Sequence, residues 1–282
     1  MDFVKMQGLG NDFILMDGKI VASISDLPEF TRQICDRHYG VGADGLILVD
    51  QNAVDQSIGM RVINSDGSTA EMCGNGIRCL ARYVYERGIR REKSFPVRTG
   101  AGIITPEVLV SDGKVSIVRV DMGKPSFSPV DIFLDDQGME ARAGEYNLAV
   151  DNRIFSFMPV SMGNPHAVIF ELPDSWMVYG AILEAHPRFT RKTNVEFVRI
   201  INSREAEVKV WERGAGATLA CGTGACAVLV ASVRKGLLKR EASFHLPGGT
   251  LKVAWPNDDS AVLMEGPAEE VFTGTIIQAN LR

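Results

Sequence analysis

The chain has 282 residues, 45% hydrophobic and 23% charged, with a formal net charge of −5. That length supports one large or two ordinary domains with a full core, so no metal or disulfide staple is needed. The balance of 30 Lys and Arg against 35 Asp and Glu, with no basic stripe, argues against nucleic acid as the main ligand, and an odd count of five cysteines argues against a secreted disulfide scaffold.

In chain order, "MDFVKMQGLGNDF" lacks the apolar run of a signal peptide. A helix is predicted over 27–37, with Ser25-Asp26 as its N-cap. "RVIN" (61–64) reads as a strand and leads into a second helix over 77–86, stopped by Gly88. The β-branched runs "VSIVRVDM" (115–122), "HAVIF" (166–170), "VEFVRII" (195–201) and "AEVKVWE" (206–212) follow as strands. A third helix over 225–234, stopped by Gly236, and a strand "AVLMEG" (261–266) complete an α+β pattern with more strand than helix. The apolar stretch 219–233 is broken by glycines and too short to cross a bilayer, so a cytoplasmic protein without membrane partners is expected. Cys73/Cys79 and Cys221/Cys226 miss the tight spacing of zinc ligand pairs, so no metal is expected either.

Laid against itself with Cys73 on Cys221, a shift of 148 residues, the chain matches "RVINSDGSTAEMCGNGIRCLARYVYERG" to "KVWERGAGATLACGTGACAVLVASVRKG" without a gap. Each half reads strand, loop, Cys-Gly-x-Gly, helix, glycine stop. "GNDF" (10–13) echoes "GNPH" (163–166) at a slightly larger shift. Two similar domains are therefore expected, divided near the "GKPSFSP" turn at 120–128.

A cysteine just ahead of a helix faces unpaired N–H groups and the positive end of the helix dipole, which lowers a thiol pKa from about 8.5. The flanking glycines leave those N–H groups open to a carboxylate. Two such loops facing each other suit removal of a proton from the carbon beside a carboxylate and its return on the other face. No lysine sits in a recognisable pyridoxal-phosphate motif, so no cofactor is expected. Against this stand plainer readings. Cys35, Cys79 and Cys226 read as core, and either Cys73 or Cys221 taken singly reads as core or loop. A cysteine hydrolase with His166 as base is another chemical option, but it leaves the second cysteine unexplained. Asn11, Asn64, Asn164 and Asn194 fit turns, and Glu212-Arg213 fits a solvated strand end. A two-lobed anion-binding protein is the non-enzyme alternative.

Several long motifs in order, "KMQGLGNDFILMD", "DRHYGVGADGLILV", "NSDGSTAEMCGNGIRCLARY", "MGNPHAV", "TNVEFV" and "WERGAGATLACGTGACA", resemble the diaminopimelate epimerase family. The resemblance implies two pseudo-symmetric α/β domains, each a mixed sheet wrapped around a central helix, with the active site in the cleft between them. The domains would be 1–120, completed by the tail 266–282, and 121–265. It implies interconversion of LL- and meso-diaminopimelate, in lysine and cell-wall precursor biosynthesis, with racemisation of another amino acid on the same fold as the alternative. Cys73 and Cys221 match the catalytic pair. Gly74-Asn75 and Gly222-Thr223 match the loops around the reacting carboxylate. Asn64, Asn164, Asn194 and Arg213 match the groups reading the distal end, Glu212 a residue near the ammonium groups, and Asn11 and His166 further site positions, with His166 and Glu212 as assisting groups. Gly45 stands where some members contribute a glutamine, so that contact is not carried over. Phe272 stands at a dimer-contact position, which implies a homodimer.

Overall fold

The computed structural model describes residues 1–22, 24–52 and 57–277. The chain divides into two compact units, Met1–Val120 with Gly266–Arg282, and Asp121–Glu265.

The first unit opens with β1 (Asp2–Gly8), β2 (Asn11–Asp17), helix α1 (Leu27–Cys35), β3 (Gly45–Gln51), β4 (Ile58–Asn64) and a short β5 (Thr69–Ala70). Helix α2 (Gly74–Glu86) then leads to β6 (Val97–Thr99), β7 (Gly102–Ile104) and the hairpin β8 (Glu107–Ser111) and β9 (Lys114–Asp121). In the second unit come β10 (Tyr146–Val150), β11 (Arg153–Ser161), β12 (Pro165–Ile169), helix α3 (Trp176–Glu184), β13 (Asn194–Asn202), β14 (Glu205–Glu212) and β15 (Gly216–Ala217). Helix α4 (Gly222–Arg234), β16 (Glu241–Leu246), β17 (Gly249–Ala254) and β18 (Leu263–Gly266) follow, and β19 (Glu269–Thr275) returns to the first unit.

The two units repeat one plan. In the first, β1 and β2 are antiparallel, β2 and β3 parallel, β3 and β4 antiparallel, and β4 and β6 parallel. In the second, β11 and β12, β12 and β13, β13 and β14, and β14 and β16 follow the same sequence of directions. The register agrees too: Phe13 faces Gly45 as His166 faces Asn194, and Ile47 faces Val62 as Glu196 faces Val210. The repeat seen in the sequence is thus a repeat of backbone topology.

Two helices lie against each sheet, α1 and α2 in the first unit and α3 and α4 in the second. Helix α2 packs on β1, β2, β3 and β4 and on β19, while α4 packs on β11, β12, β13, β16 and β17. Both start three residues earlier than the sequence predicts, because Cys73 and Cys221 cap them and the glycines form their first turn. Sequence pattern reads those glycines as loop because glycine has a poor helix propensity. Both end alike. Gly88 and Gly236 have φ of +67° and +70°, and Ile89 and Leu237 donate back to Val84 and Ser232. This is a Schellman closure, which requires the left-handed conformation that glycine adopts without strain.

Helix α1 stops at Cys35 rather than residue 37, where Asp36 leaves helical geometry and its carboxylate accepts from His38 and Tyr39 backbone N–H groups. Sequence pattern missed α3 because "WMVYGAILE" is apolar nearly all round and carries no helical period.

The returning segment is tied to α2 by Arg78, fully buried, which donates from Nε to the Pro267 carbonyl at 3.1 Å and from Nη1 to Gly74 O at 3.2 Å. β19 pairs antiparallel with β1. Replacing Arg78 with Met keeps the buried stem but leaves the Pro267 carbonyl without that donor. The Arg78→Met variant should lose about 2–3 kcal/mol in urea unfolding; a loss below about 0.5 kcal/mol would mean that the arginine does not hold the segment.

Candidate functional site

Each unit presents one cysteine at a helix head in the same local geometry. Cys73 (φ −140°, ψ 117°) and Cys221 (φ −118°, ψ 111°) are extended N-cap residues, and each sulfur accepts the backbone N–H three residues on, from Gly76 and Gly224, at 3.4 Å. Sulfur is a weaker acceptor than the oxygen of Ser, Thr or Asp, which usually fill this position. Capping alone would therefore favour serine, and cysteine in both places points to thiol chemistry. The third helical residue has little room for a side chain. A Cβ on Gly76 would lie 2.9 Å from Ile47 Cδ1, and one on Gly224 would lie 2.9 Å from Glu196 Oε1 and 3.3 Å from Cys221 Sγ.

Around Cys73, partly exposed, the Asn11 Oδ1 accepts from the thiol at 3.8 Å and from Asn75 Nδ2 at 3.1 Å. Asn11 is oriented by Asp44, whose Oδ2 accepts from Asn11 Nδ2 at 2.8 Å and from the Asp12 N–H at 3.0 Å. Arg37 bridges the Asp12 and Asp44 carboxylates, and Lys5 pairs with Asp12 at 2.6 Å. Burial works to raise the Asp12 pKa, but the hydrogen bonds from Arg37 and Lys5 outweigh it and bring it down to about 2. Asn64 ends β4 and donates to Ser68 Oγ at 2.9 Å. Gly45 pairs with Asn64 on β4, and a Cβ there would lie 2.8 Å from the Ile63 carbonyl oxygen, which explains the glycine.

Cys221 is buried, and a second set of polar groups gathers about it. Thr223 Oγ1 lies 3.5 Å from the sulfur and accepts from Asn164 Nδ2 at 3.2 Å. His166, with no exposed surface, has Nε2 at 2.9 Å from Asn164 Oδ1 and Nδ1 at 2.7 Å from Glu196 Oε1. Glu212 accepts from the Thr218 hydroxyl, and burial pushes its carboxyl pKa up despite that bond. Asn194 donates to the Pro165 carbonyl and accepts the Arg213 N–H, each at 2.8 Å, fixing the turn from which exposed Arg213 extends. Glu184 braces the same turn by accepting from Gly214 N–H and Trp211 Nε1. Gly222 approaches Met264, whose Sδ would lie 2.9 Å from an added Cβ.

The expectation that a helix head lowers the thiol pKa does not hold for Cys221 in this state. Burial, followed by the Glu212 and Glu196 carboxylates, raises it well above the ordinary value, and the bonds from Thr223 and Gly224 offset only part of that. Cys35 and Cys79 are pushed up to about 12 by burial, as befits core thiols.

In the first unit, Cys73, Asn75 and Asn11 thus form one bonded group, with Gly74 opening the helix and Asn64 apart on Ser68. In the second, Cys221, Thr223, Asn164 and His166 form another, with Gly222 at its helix and Glu212 among the groups that bear on the thiol. Asn194 and Arg213 share a separate turn. Sequence reading did not single out Asp44, Thr218 or Glu196. A carboxylate at a buried position of the β-branched run "TNVEFV" was a signal for the last. Among the described residues, no group of three or more His, Cys, Asp or Glu is placed to hold a metal ion, and no helix is long and apolar enough to cross a membrane.

The model of the diaminopimelate epimerase family matches residues 3–128 and 158–271. The chain belongs to that family. Among its relatives, the diaminopimelate epimerases of Pelotomaculum thermopropionicum and Desulfitobacterium hafniense are 46% and 47% identical, covering 97% and 99% of this chain and 98% and 99% of theirs. The structure of a hydroxyproline epimerase from Agrobacterium vitis shares the fold, with TM-score 0.68 at 15% identity over 97% of this chain and 91% of that one.

In this family member the Glu212 environment can be tested directly. Thr218→Val removes the one hydroxyl that donates to the carboxylate, so the Glu212 pKa, already above its ordinary value, should rise further. Carboxyl ¹³C NMR of labelled protein reads this, and an unchanged or lower midpoint would contradict the assignment.

Proposed function

We propose that the chain interconverts LL- and meso-diaminopimelate, with Cys73 and Cys221 as its acid–base pair. The observation that supports this most is the duplicated cysteine cap: two thiols in one local geometry, where a single-nucleophile enzyme needs one. For LL to meso, Cys221 as thiolate takes the α-proton and Cys73 as thiol gives its own proton to the opposite face. The reverse reaction exchanges the parts. Each turnover leaves the charges of the two sulfurs exchanged, so the enzyme must reset them before the next.

General acid–base groups supply about 10²–10⁴-fold in rate. An α-proton beside a carboxylate needs more, and stabilisation of the developing carbanion is assigned to the first N–H groups of α2 and α4, at Gly74-Asn75 and Gly222-Thr223. Nothing in this scheme calls for pyridoxal phosphate, because the helix heads take the part of the electron sink. Asn64, Asn164, Asn194 and Arg213 are assigned to the distal amino-acid end, where Arg offers a forked partner to a carboxylate. Glu212 is assigned to the ammonium groups, and Asn11 and His166 to support of the thiols. The raised Cys221 pKa fits a resting thiol, which substrate must help to ionise.

The relatives' activity supports a place in lysine biosynthesis and a small-molecule substrate, and we assign the enzyme to the cytoplasm as a homodimer. β19 offers the dimer surface: Val271 and Phe272 are exposed, and Phe272 stands edge-on to Phe3 at 5.9 Å. Phe272→Asp should then shift the protein from dimer to monomer in sedimentation; a monomeric parent chain would refute the assignment.

The activity is tested by incubating LL-diaminopimelate in D₂O without pyridoxal phosphate and following meso product and α-deuterium by NMR. Deuterated meso product, lost by more than about 10³-fold in Cys73→Ser and in Cys221→Ser, is expected. Turnover of proline or other single-ended amino acids in its place would assign a different racemase, and binding that survives both substitutions without exchange would make the protein an anion-binding module.

A further inference from the structure

The two halves differ at one pair of positions where their backbones agree. In the first unit the register places Phe13 on β2 and Ile47 on β3, both buried and apolar. In the second, the same places on β12 and β13 hold His166 and Glu196, both with no exposed surface. The fold therefore does not need a polar pair there. Nor is Glu196 satisfied as a structural ion pair would be: Oε1 meets His166, but Oε2 is buried without a hydrogen-bond partner. A carboxylate held at such a cost, where the twin half uses isoleucine, calls for a reason outside packing.

The hydrogen bonds around it supply one. Asn164 Nδ2 donates to Thr223 Oγ1 at 3.2 Å, which turns Asn164 Oδ1 towards His166 Nε2 at 2.9 Å. Nε2 must then carry a hydrogen. Nδ1, 2.7 Å from Glu196 Oε1, must share a proton with that carboxyl, whichever of the two atoms holds it. Thr223, having accepted from Asn164, has its own hydrogen left to donate to Cys221 Sγ at 3.5 Å. Every bond in this series runs in one direction, from the Glu196–His166 pair towards the sulfur, and the last one favours thiolate.

We infer that Glu196 is a positioning residue for Cys221: by fixing the His166 ring with Nε2–H towards Asn164, it sets the hydrogen-bond series that ends in the Thr223 hydroxyl and supports the thiolate. This rests on the proposed thiol chemistry. Cys73 is set differently. Its neighbour Asn11 is oriented by Asp44 and accepts from the thiol, which favours the protonated form. The bonds at the two sulfurs thus differ: Asn11 accepts from the Cys73 thiol, while the Thr223 hydroxyl can donate to Cys221.

The charged and titratable groups around Cys221 are Glu212 on β14, Glu196 on β13 and His166 on β12, with Thr223 on α4 itself. Through space alone, the Glu196 carboxylate opposes the thiolate, so removing it would ease ionisation. Through the bonded series, removing it does the reverse. The two effects have opposite signs, and that makes the experiment decisive.

Cys221 thiolate is read by the pH dependence of its alkylation with iodoacetamide, located by peptide mass, on the whole protein without substrate. In Glu196→Ala the midpoint should rise, slowing alkylation at neutral pH about tenfold, the equivalent of one pH unit. In Glu196→Gln the amide N–H can donate to Nδ1 and keep Nε2–H in place, so the midpoint should not rise. The pair His166→Phe with Glu196→Ile copies the first half's packing, keeps the test open if Glu196→Ala folds poorly, and should behave as Glu196→Ala. A lower midpoint in both Ala and Gln variants, an equal rise in both, or no change in any would overturn the inference. Wild-type alkylation with the expected variant pattern, but no epimerisation of diaminopimelate, would refute the proposed function and leave the inference standing.

Discussion

In each half of the molecule a sulfur atom accepts the N–H of the third residue of the helix packed against the sheet, and the rest of the candidate site is arranged about that bond. It sets where the helix begins, so it sets where the first unpaired N–H groups point. It brings residues 76 and 224 close to Ile47 and Glu196, so that any side chain there would push on those neighbours. It also holds the thiol at the positive end of a helix dipole while the Schellman closure at Gly88 and Gly236 fixes the other end. A serine would close the same bond with a better acceptor, so capping by itself does not account for cysteine at both positions.

That common frame makes the differences between the halves informative. Helix α2 carries Arg78, whose buried guanidinium takes hold of the returning chain at Pro267, whereas α4 is apolar over almost its whole length. Cys73 is partly exposed and lies beside an asparagine acceptor. Cys221 is buried among carboxylates that raise its pKa, with Thr223 and Gly224 opposing them. One backbone plan thus presents two thiols in unlike electrostatic settings. Burial is the larger influence at Cys221, and it exceeds what the helix head alone supplies.

Much of the site was legible as residue types in a repeated pattern. Cys-Gly-x-Gly before an apolar run, found twice at a shift of 148 residues, needs no coordinates to be noticed. The second-tier residues were not legible in that way. Nothing in the residue pattern singles out Asp44 or Thr218, and Glu196 reads as one more position of the strand run 195–201. Each acts only through a partner: Asp44 on Asn11 and Glu196 on His166, some thirty residues away in the chain, and Thr218 on Glu212 across a turn.

The sequence by itself determined the class of fold, the duplication, the glycine stops and the two cysteines, because these depend on local backbone preference and on periodicity, which are written along the chain. It did not determine α3, whose apolar residues lack a period, nor the first helical turns, whose glycines argue for loop until a cap fixes them. Only the tertiary structure decided what acts on the ionisation of Cys221. A pKa depends on desolvation and on charges brought within a few ångströms by the fold, and at Cys221 those charges come from Glu212 at the end of β14 and Glu196 on β13.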